Sequence, residues 1–162
     1  MLSKKMEEAL NKQVNAELFS SYLYLAMAAD FEAKNLPGFA HWLKLQAKEE
    51  NGHALKLYEY INNRRSRVTL AAISAPPAEW ATPLAAFEAV LAHEQKVTGL
   101  INKLVELAAA EKDNATSIVL QWFVTEQVEE EKNADAIVAQ LKMIGESPHG
   151  LIMLDRALAQ RG

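Results

Sequence analysis

Three breaks divide this sequence into four long helical segments, and their lengths constrain the fold more than any other feature. The first break is Asn35-Leu36-Pro37-Gly38, and the third is the turn at Asp113-Asn114. The middle break, from about Ser66 to Thr82, is much longer and reads as an extended connection. Short turns join antiparallel neighbours, whereas the long link lets two helical hairpins pack with a crossover. The sequence therefore predicts an all-α four-helix bundle with a long crossover between the second and third helices.

Capping signals place the helix ends. Ser3 precedes the first helical stretch, Thr82-Pro83 combines a cap with a first-turn proline, and Gly145 stops the fourth stretch. We predict helices over residues 3–34, 37–63, 82–111 and 114–144, with a short fifth helix over 147–160. The fifth is too short to span the bundle, so its apolar face must cover the bundle end or meet another subunit.

Composition fits one soluble helical domain, residues 1–162. Half of the 162 residues are hydrophobic and only 7% are aromatic, which favours helices over a β-sandwich. The absence of Cys excludes disulfides and thiolate metal sites. A net charge of −4 argues against nucleic acid as a partner, and no apolar run approaches the ~18 residues of a membrane span. The mixed charges at the N-terminus do not fit a signal peptide, so we expect a cytoplasmic protein.

Polar side chains lie inside the apolar stripe of every long helical segment. Residues spaced by three, four or seven share one face of a helix. The residues concerned are Glu17 and Tyr24 in the first helix, Glu50 and His53 in the second, Glu94 in the third, and Gln127 and Glu130 in the fourth. They lie near the helix centres, so the bundle should bring them to one level.

Buried carboxylates need a compensating cation. No Lys or Arg lies on these stripes, and a lone ion in the interior costs several kcal/mol or neutralises. Oxygen ligands with one imidazole suit iron, manganese or zinc. The spacing Glu50-x-x-His53 is the ligand pair that di-iron bundles use. The sequence therefore predicts a dinuclear metal site. The remaining histidines, His41, His93 and His149, lie off the stripes or near an end, and we expect them at the surface.

These residues give the sequence a family resemblance. Over essentially the whole chain it resembles the non-haem bacterial ferritins, and the matching residues are Glu17, Tyr24, Glu49-Glu50-x-x-His53, Glu94 and Trp122-x-x-x-Glu126-Gln127-x-Glu129-Glu130. The long middle connection and the short fifth helix match as well. The resemblance implies a single ferritin-like di-iron domain that oxidises Fe(II) and stores iron in a hollow shell of 24 identical subunits.

The resemblance also implies residue roles. The first iron would be held by Glu17, Glu50 and His53, and the second by Glu50, Glu94 and Glu130, with Glu50 bridging and Gln127 close by. A third iron site would use Glu49, Glu126 and Glu129, and Glu130 would share it. Tyr24 would lie beside the ligands and supply an electron while O₂ is reduced, which makes Tyr24 and Glu50 the catalytic candidates.

Two departures from other di-iron proteins bear on function. The fourth helix offers Gln127-x-x-Glu130 where an enzyme with a permanent cofactor would carry a second Glu-x-x-His. An amide is a poor iron ligand, so the second iron should be held loosely, which suits export to a store. Bacterioferritins have a Met after the Glu of the motif, but here Asn51 follows Glu50, so haem is not indicated.

Three alternatives remain at this stage. A rubrerythrin-like peroxide reductase or an oxygenase could use the same bundle, although the missing second Glu-x-x-His and the lack of a Cys-based segment argue against it. A non-catalytic bundle could leave its interior acids empty. A miniature ferritin would place its iron site between subunits. The expected partners in the favoured interpretation are Fe(II), O₂ or H₂O₂, and further copies of the chain.

Overall fold

The computed structural model describes all 162 residues and contains five helices and no strands. The helices are α1 (Lys4–Ala33), α2 (Pro37–Asn63), α3 (Pro83–Ala110), α4 (Asn114–Ile144) and α5 (Pro148–Leu158). The prediction of an all-α chain with four long helices and a short fifth is therefore confirmed. No helix is both long enough and apolar enough to cross a lipid bilayer.

Side-chain caps begin four of the five helices. Ser3 accepts a hydrogen bond from the Met6 N–H, and Thr82 accepts one from Ala85. At the starts of α4 and α5, Asp113 accepts from Thr116 and Ser147 accepts from Gly150. Such caps satisfy helix N–H groups that have no partner within the helix. They explain why the helix starts could be predicted closely from the sequence.

The start of α2 is capped from a distance by α5. The residue before α2, Leu36, provides no side-chain cap. Asp155 Oδ1 instead accepts hydrogen bonds from the N–H groups of Gly38 and Phe39, at 2.8 and 3.0 Å. A Cβ on Gly38 would lie 1.7 Å from the Asp155 carbonyl oxygen, so only glycine permits this approach. The short helix thus covers the end of the bundle.

The long middle connection is extended and lies along α1. Asn11 Nδ2 donates to the Arg67 carbonyl, and Asn11 Oδ1 accepts from the Thr69 N–H. One turn later, Asn15 Nδ2 donates to the carbonyls of Ala71 and Ala72. These side chains replace the secondary-structure hydrogen bonds that the connection lacks. They fix the crossover that joins the α1–α2 hairpin to the α3–α4 hairpin.

The apolar core is divided into two clusters along the bundle. One contains 19 buried residues and includes Phe31, Phe39, Phe87 and the buried part of α5. The other contains 12 buried residues and includes Met6, Leu57 and Leu120. Between the two clusters, all four long helices contribute buried polar side chains at one level. This polar layer is the candidate functional site.

Candidate metal centre

Two groups of possible metal ligands meet in the polar layer. Glu17, Glu50 and His53 each offer a ligand atom within 4.8 Å of the others, and Glu50, Glu94 and Glu130 do the same. All five residues are buried. Glu50 belongs to both groups, so its carboxylate lies between two potential ion positions.

The carboxyl groups of the layer lack a cationic partner. No Lys or Arg side chain donates a hydrogen bond to any of them. Glu17 Oε2 and Glu50 Oε2 are buried without any hydrogen-bond partner. Glu50 Oε2 lies 3.4 Å from His53 Nδ1, but the contact lacks hydrogen-bond geometry. Buried oxygens in this condition fit a site for cations, because an uncompensated polar atom in the interior is costly.

Burial and mutual repulsion change the acidity of these groups. Burial, followed by the charge of Glu50, raises the pKa of Glu17 to about 8. Burial and the nearby Glu94 raise the pKa of Glu130 to about 7. The pKa values of Glu50 and Glu94 are also raised, chiefly by burial. The metal-free layer therefore retains protons at neutral pH, and a bound cation would displace them.

Two glutamine amides, those of Gln13 and Gln46, orient the carboxylates of α1, α2 and α4. Gln13 Nε2 donates to Glu17 Oε1 at 2.8 Å, and Gln46 Nε2 donates to Glu50 Oε1 at 3.0 Å. The same Gln46 amide donates to Glu130 Oε2. Sequence reasoning missed both glutamines. The available signal was their spacing, since each lies four residues before its glutamate on the same helix face.

Gln127 also contacts the layer through its amide nitrogen. Its Nε2 donates to the Glu94 carbonyl and to Glu94 Oε2, both at 3.2 Å. It thus lies close to the second group, where the sequence predicted it. The amide nitrogen carries no lone pair for a metal, so Gln127 in this orientation supports Glu94 rather than adding a ligand.

Tyr24 is fully buried beside the two groups of possible metal ligands. Its hydroxyl donates a hydrogen bond to Glu94 Oε1. Burial, together with the charge of Glu94, raises the pKa of Tyr24 well above its usual value, so the phenol keeps its proton. The ring also packs edge-on against His93, with centroids 5.9 Å apart. Tyr24 is therefore one hydrogen bond away from the second group.

The residues of the predicted third site do not form a common ligand group in the structure. Glu126 forms a further group with His53 and Glu130, and Glu126 Oε1 lies 3.9 Å from His53 Nε2. Glu49 Oε2 instead lies 2.6 Å from Arg161 Nη2. Glu129 is exposed and contributes to none of the three groups. The assignment of a third iron site to these residues stays a prediction.

The expected surface positions of the other histidines are only partly correct. His149 is exposed. His93 is half-buried between α1 and α3, where its Nε2 lies 2.8 Å from Ser20 Oγ. Burial, reinforced by Lys96, lowers the pKa of His93 to about 4, so its ring is neutral. His41 is half-buried too. His41 and His93 lie off the main apolar stripe of their helices but still contact other parts of the chain, at Arg161 and Ser20 respectively. An apolar stripe on one helix face does not reveal such contacts.

Two cavities of about 510 Å³ each lie apart from the carboxylates of the polar layer. One of these cavities lies between α1 and α3, and the other lies between α5 and the ends of α3 and α4. None of the carboxylates in the two ligand groups lines either cavity.

Comparisons with known proteins agree with this geometry. A family model described as a ferritin-like domain matches residues 7–144. Bacterial non-heme ferritins from Bacteroides fragilis (strain 638R) and Staphylococcus aureus (strain USA300) are 45% and 40% identical over 161 residues. These matches cover 99% of this chain and 100% and 97% of the respective relatives. An open pore ferritin from the archaeon Archaeoglobus fulgidus superposes with a TM-score of 0.99 at 50% identity, covering 100% of both chains.

Proposed function

Because the chain belongs to the family of non-haem ferritins, we propose that it oxidises Fe(II) at the polar layer and stores the iron. The oxidant is O₂ or H₂O₂, and the Fe(III) product collects as mineral inside a shell of identical subunits in the cytoplasm. The observation that carries the proposal is the position of Glu50 in both ligand groups. A shared carboxylate brings two ferrous ions close enough to react with one oxidant molecule.

In this proposal the two groups bind iron as a substrate. Glu17, Glu50 and His53 hold one Fe(II), and Glu50, Glu94 and Glu130 hold the other. Anionic oxygen ligands favour Fe(III) over Fe(II), so the layer drives the oxidation. Each of two ferrous ions gives one electron to O₂, which takes up two protons and becomes H₂O₂.

Tyr24 provides a further electron in this scheme. Its phenol donates a hydrogen bond to Glu94, so the proton can pass to an ionised Glu94 as the electron leaves. This electron, together with one from a further Fe(II) at the proposed third site and two protons, reduces the H₂O₂ to two molecules of water. Tyr24 is left as a neutral tyrosyl radical. A fully buried phenol is shielded from solvent, which limits side reactions of that radical.

The second ligand group suits release of its iron. It contains three carboxylates but no imidazole, and Gln127 turns its amide nitrogen towards Glu94. Glu126 extends the set of carboxylates towards the surface, because it groups with His53 and Glu130. We propose that Fe(III) leaves by this route, and that Glu49 and Glu129 complete a third site beyond it.

The first test uses Glu50→Ala in the assembled, metal-free protein. We expect rapid Fe(II) oxidation under air to be lost, because neither ion retains its shared ligand. Absorbance of the Fe(III) product measures the rate. Glu59→Ala serves as the control, since Glu59 is exposed on the same helix and has no partner. Oxidation by Glu50→Ala at the rate of the unaltered protein would refute the ligand assignment.

Iron stoichiometry separates storage from the rubrerythrin-like alternative. Storage predicts that repeated additions of Fe(II) load hundreds of ions per particle. A di-metal enzyme predicts saturation at two ions per chain, however much Fe(II) is added. Iron analysis of the particle after gel filtration decides between the two functions.

A further inference from the structure

Arg161, which follows α5, extends its guanidinium group to α2. Nη1 donates to the Trp42 carbonyl at 3.2 Å and to Gln46 Oε1 at 3.0 Å, and Nη2 donates to Glu49 Oε2 at 2.6 Å. The guanidinium also lies over the Trp42 ring, 4.5 Å from its centroid. His41 Nε2 donates to the Arg161 carbonyl at 2.7 Å. The residue is therefore fixed from several sides.

Gln46 links Arg161 to the ligands. Its side chain is 1% exposed, and its Nε2 donates to Glu50 and Glu130, which belong to the same ligand group. A side-chain amide has one accepting end and one donating end, whereas a guanidinium only donates. Arg161 therefore holds the amide oxygen facing outward, which leaves the NH₂ group facing the two carboxylates.

We propose that Arg161 is a positioning residue for the metal centre, acting through Gln46 on Glu50 and Glu130. This inference rests on the proposed function, because it treats those two carboxylates as iron ligands. Hydrogen-bonding partners behind metal ligands fix their orientation and tune metal affinity. Without Arg161, the Gln46 amide loses the donor that holds its oxygen, so its NH₂ group is held less firmly against the two carboxylates.

The neutral Gln46 amide, which lies between the Arg161 guanidinium and the two carboxylates, has a physical role. A guanidinium placed directly on Glu50 or Glu130 would compete with iron for the carboxylate oxygens. Acting through Gln46, Arg161 orients these oxygens and leaves their charge available to metal. On Glu49 the contact is direct, so Arg161 competes there with an ion at the predicted third site.

The test measures Co²⁺ binding to the assembled, metal-free protein by calorimetry, together with the visible spectrum of bound Co²⁺. The unaltered protein should bind two ions per chain. Arg161→Ala should lower the affinity for the more weakly bound Co²⁺ by roughly tenfold and alter the spectrum of that ion. Loss of the hydrogen-bonding partner of a metal ligand typically lowers metal affinity 10–100-fold. Gln46→Ala should do the same, and the double variant should lose no more than Gln46→Ala alone.

Two further variants separate positioning from a purely structural role. Arg161→Lys should restore only part of the affinity, because an ammonium group lacks the planar fork that contacts several acceptors. Arg156→Ala is the control, since Arg156 is exposed on α5 and has no polar partner. Its Co²⁺ binding should equal that of the unaltered protein, and thermal unfolding of every variant monitors folding.

Three outcomes would overturn the inference. Unchanged Co²⁺ binding by Arg161→Ala, or additive losses in the double variant, would exclude action through Gln46 while leaving the proposed function intact. An unaltered protein that binds no pair of Co²⁺ ions would overturn the proposed function and this inference together.

Discussion

At the scale of single residues, the raised pKa of Glu17 makes metal-free stability depend on pH. In the unfolded chain this carboxyl ionises near its usual pKa of 4.5, whereas in the folded chain it ionises at about 8. Between these values the folded state binds more protons than the unfolded state, so stability falls as pH rises. The stability that protonated Glu17 contributes to the folded state is fully present below pH 4.5 and is lost as pH rises through 8.

The corresponding prediction compares the metal-free protein at pH 6 and pH 8. We expect Tm to be lower at pH 8 by at least about 2 °C, because one pKa unit is about 1.4 kcal/mol and 1 kcal/mol shifts Tm by roughly 2–4 °C. Glu17→Gln should show a smaller decrease, and added Zn²⁺ should reverse the decrease in the unaltered protein. Calorimetric unfolding measures all three, and an identical decrease in Glu17→Gln would contradict the assignment.

A second prediction at this scale concerns Glu129, which is exposed and outside the ligand groups. Glu129→Ala should leave the first oxidation of two irons per chain nearly unchanged and slow later uptake several-fold. The reason is that Glu129 belongs only to the proposed exit route. Stopped-flow traces at two and at fifty irons per chain measure the two phases, and equal slowing of both would argue against a separate third site.

Whether a residue of the site could be predicted from the sequence depended on its charge and on the helix face that it occupies. Glu17, Glu50 and Glu94 were identifiable because an acid on the centre line of an apolar stripe is costly unless something compensates it. Gln13 and Gln46 were missed, since a neutral amide in a helix carries no comparable cost. Arg161 was missed because its partners lie more than 110 positions away in the sequence.

At the scale of helices, α5 and α2 depend on each other through Gly38. Its missing side chain lets the Asp155 backbone approach, and Asp155 in turn caps α2. The sequence predicted both helices, because capping and periodicity are local signals. It left open where α5 lies, since a distant carboxylate, rather than Leu36, supplies the cap.

We predict that Gly38→Ala displaces α5 and destabilises the protein. The expected cost is about 1–3 kcal/mol for the added methyl group and about 1 kcal/mol for the lost cap. Gly99→Ala in α3 is the matched control: a Cβ there meets nothing within 4 Å, so it should be neutral or stabilising by up to about 1 kcal/mol. Urea unfolding measures both variants, and equal stability would contradict the proposed docking of α5.

At the scale of the whole molecule, the proposed storage function requires assembly. Exposed apolar side chains on α1 and α2, among them Tyr22, Leu25 and Tyr58, offer surface for contact with other copies. A shell of 24 chains of 18.0 kDa would have a mass of roughly 430 kDa. Light scattering coupled to gel filtration should find this particle, and a monomer at micromolar concentration would exclude storage by a shell.

The separation of the core into two apolar clusters also fixes the position of one hairpin relative to the other along the bundle axis. In a uniformly apolar bundle, one hairpin can slide past the other by a helical turn and still bury hydrophobic surface. Here such a shift would press carboxylates from one hairpin into the apolar cluster of the other. The polar layer therefore sets the register of the two hairpins, because bundles in the wrong register would bury carboxylates among apolar side chains even without a bound metal ion.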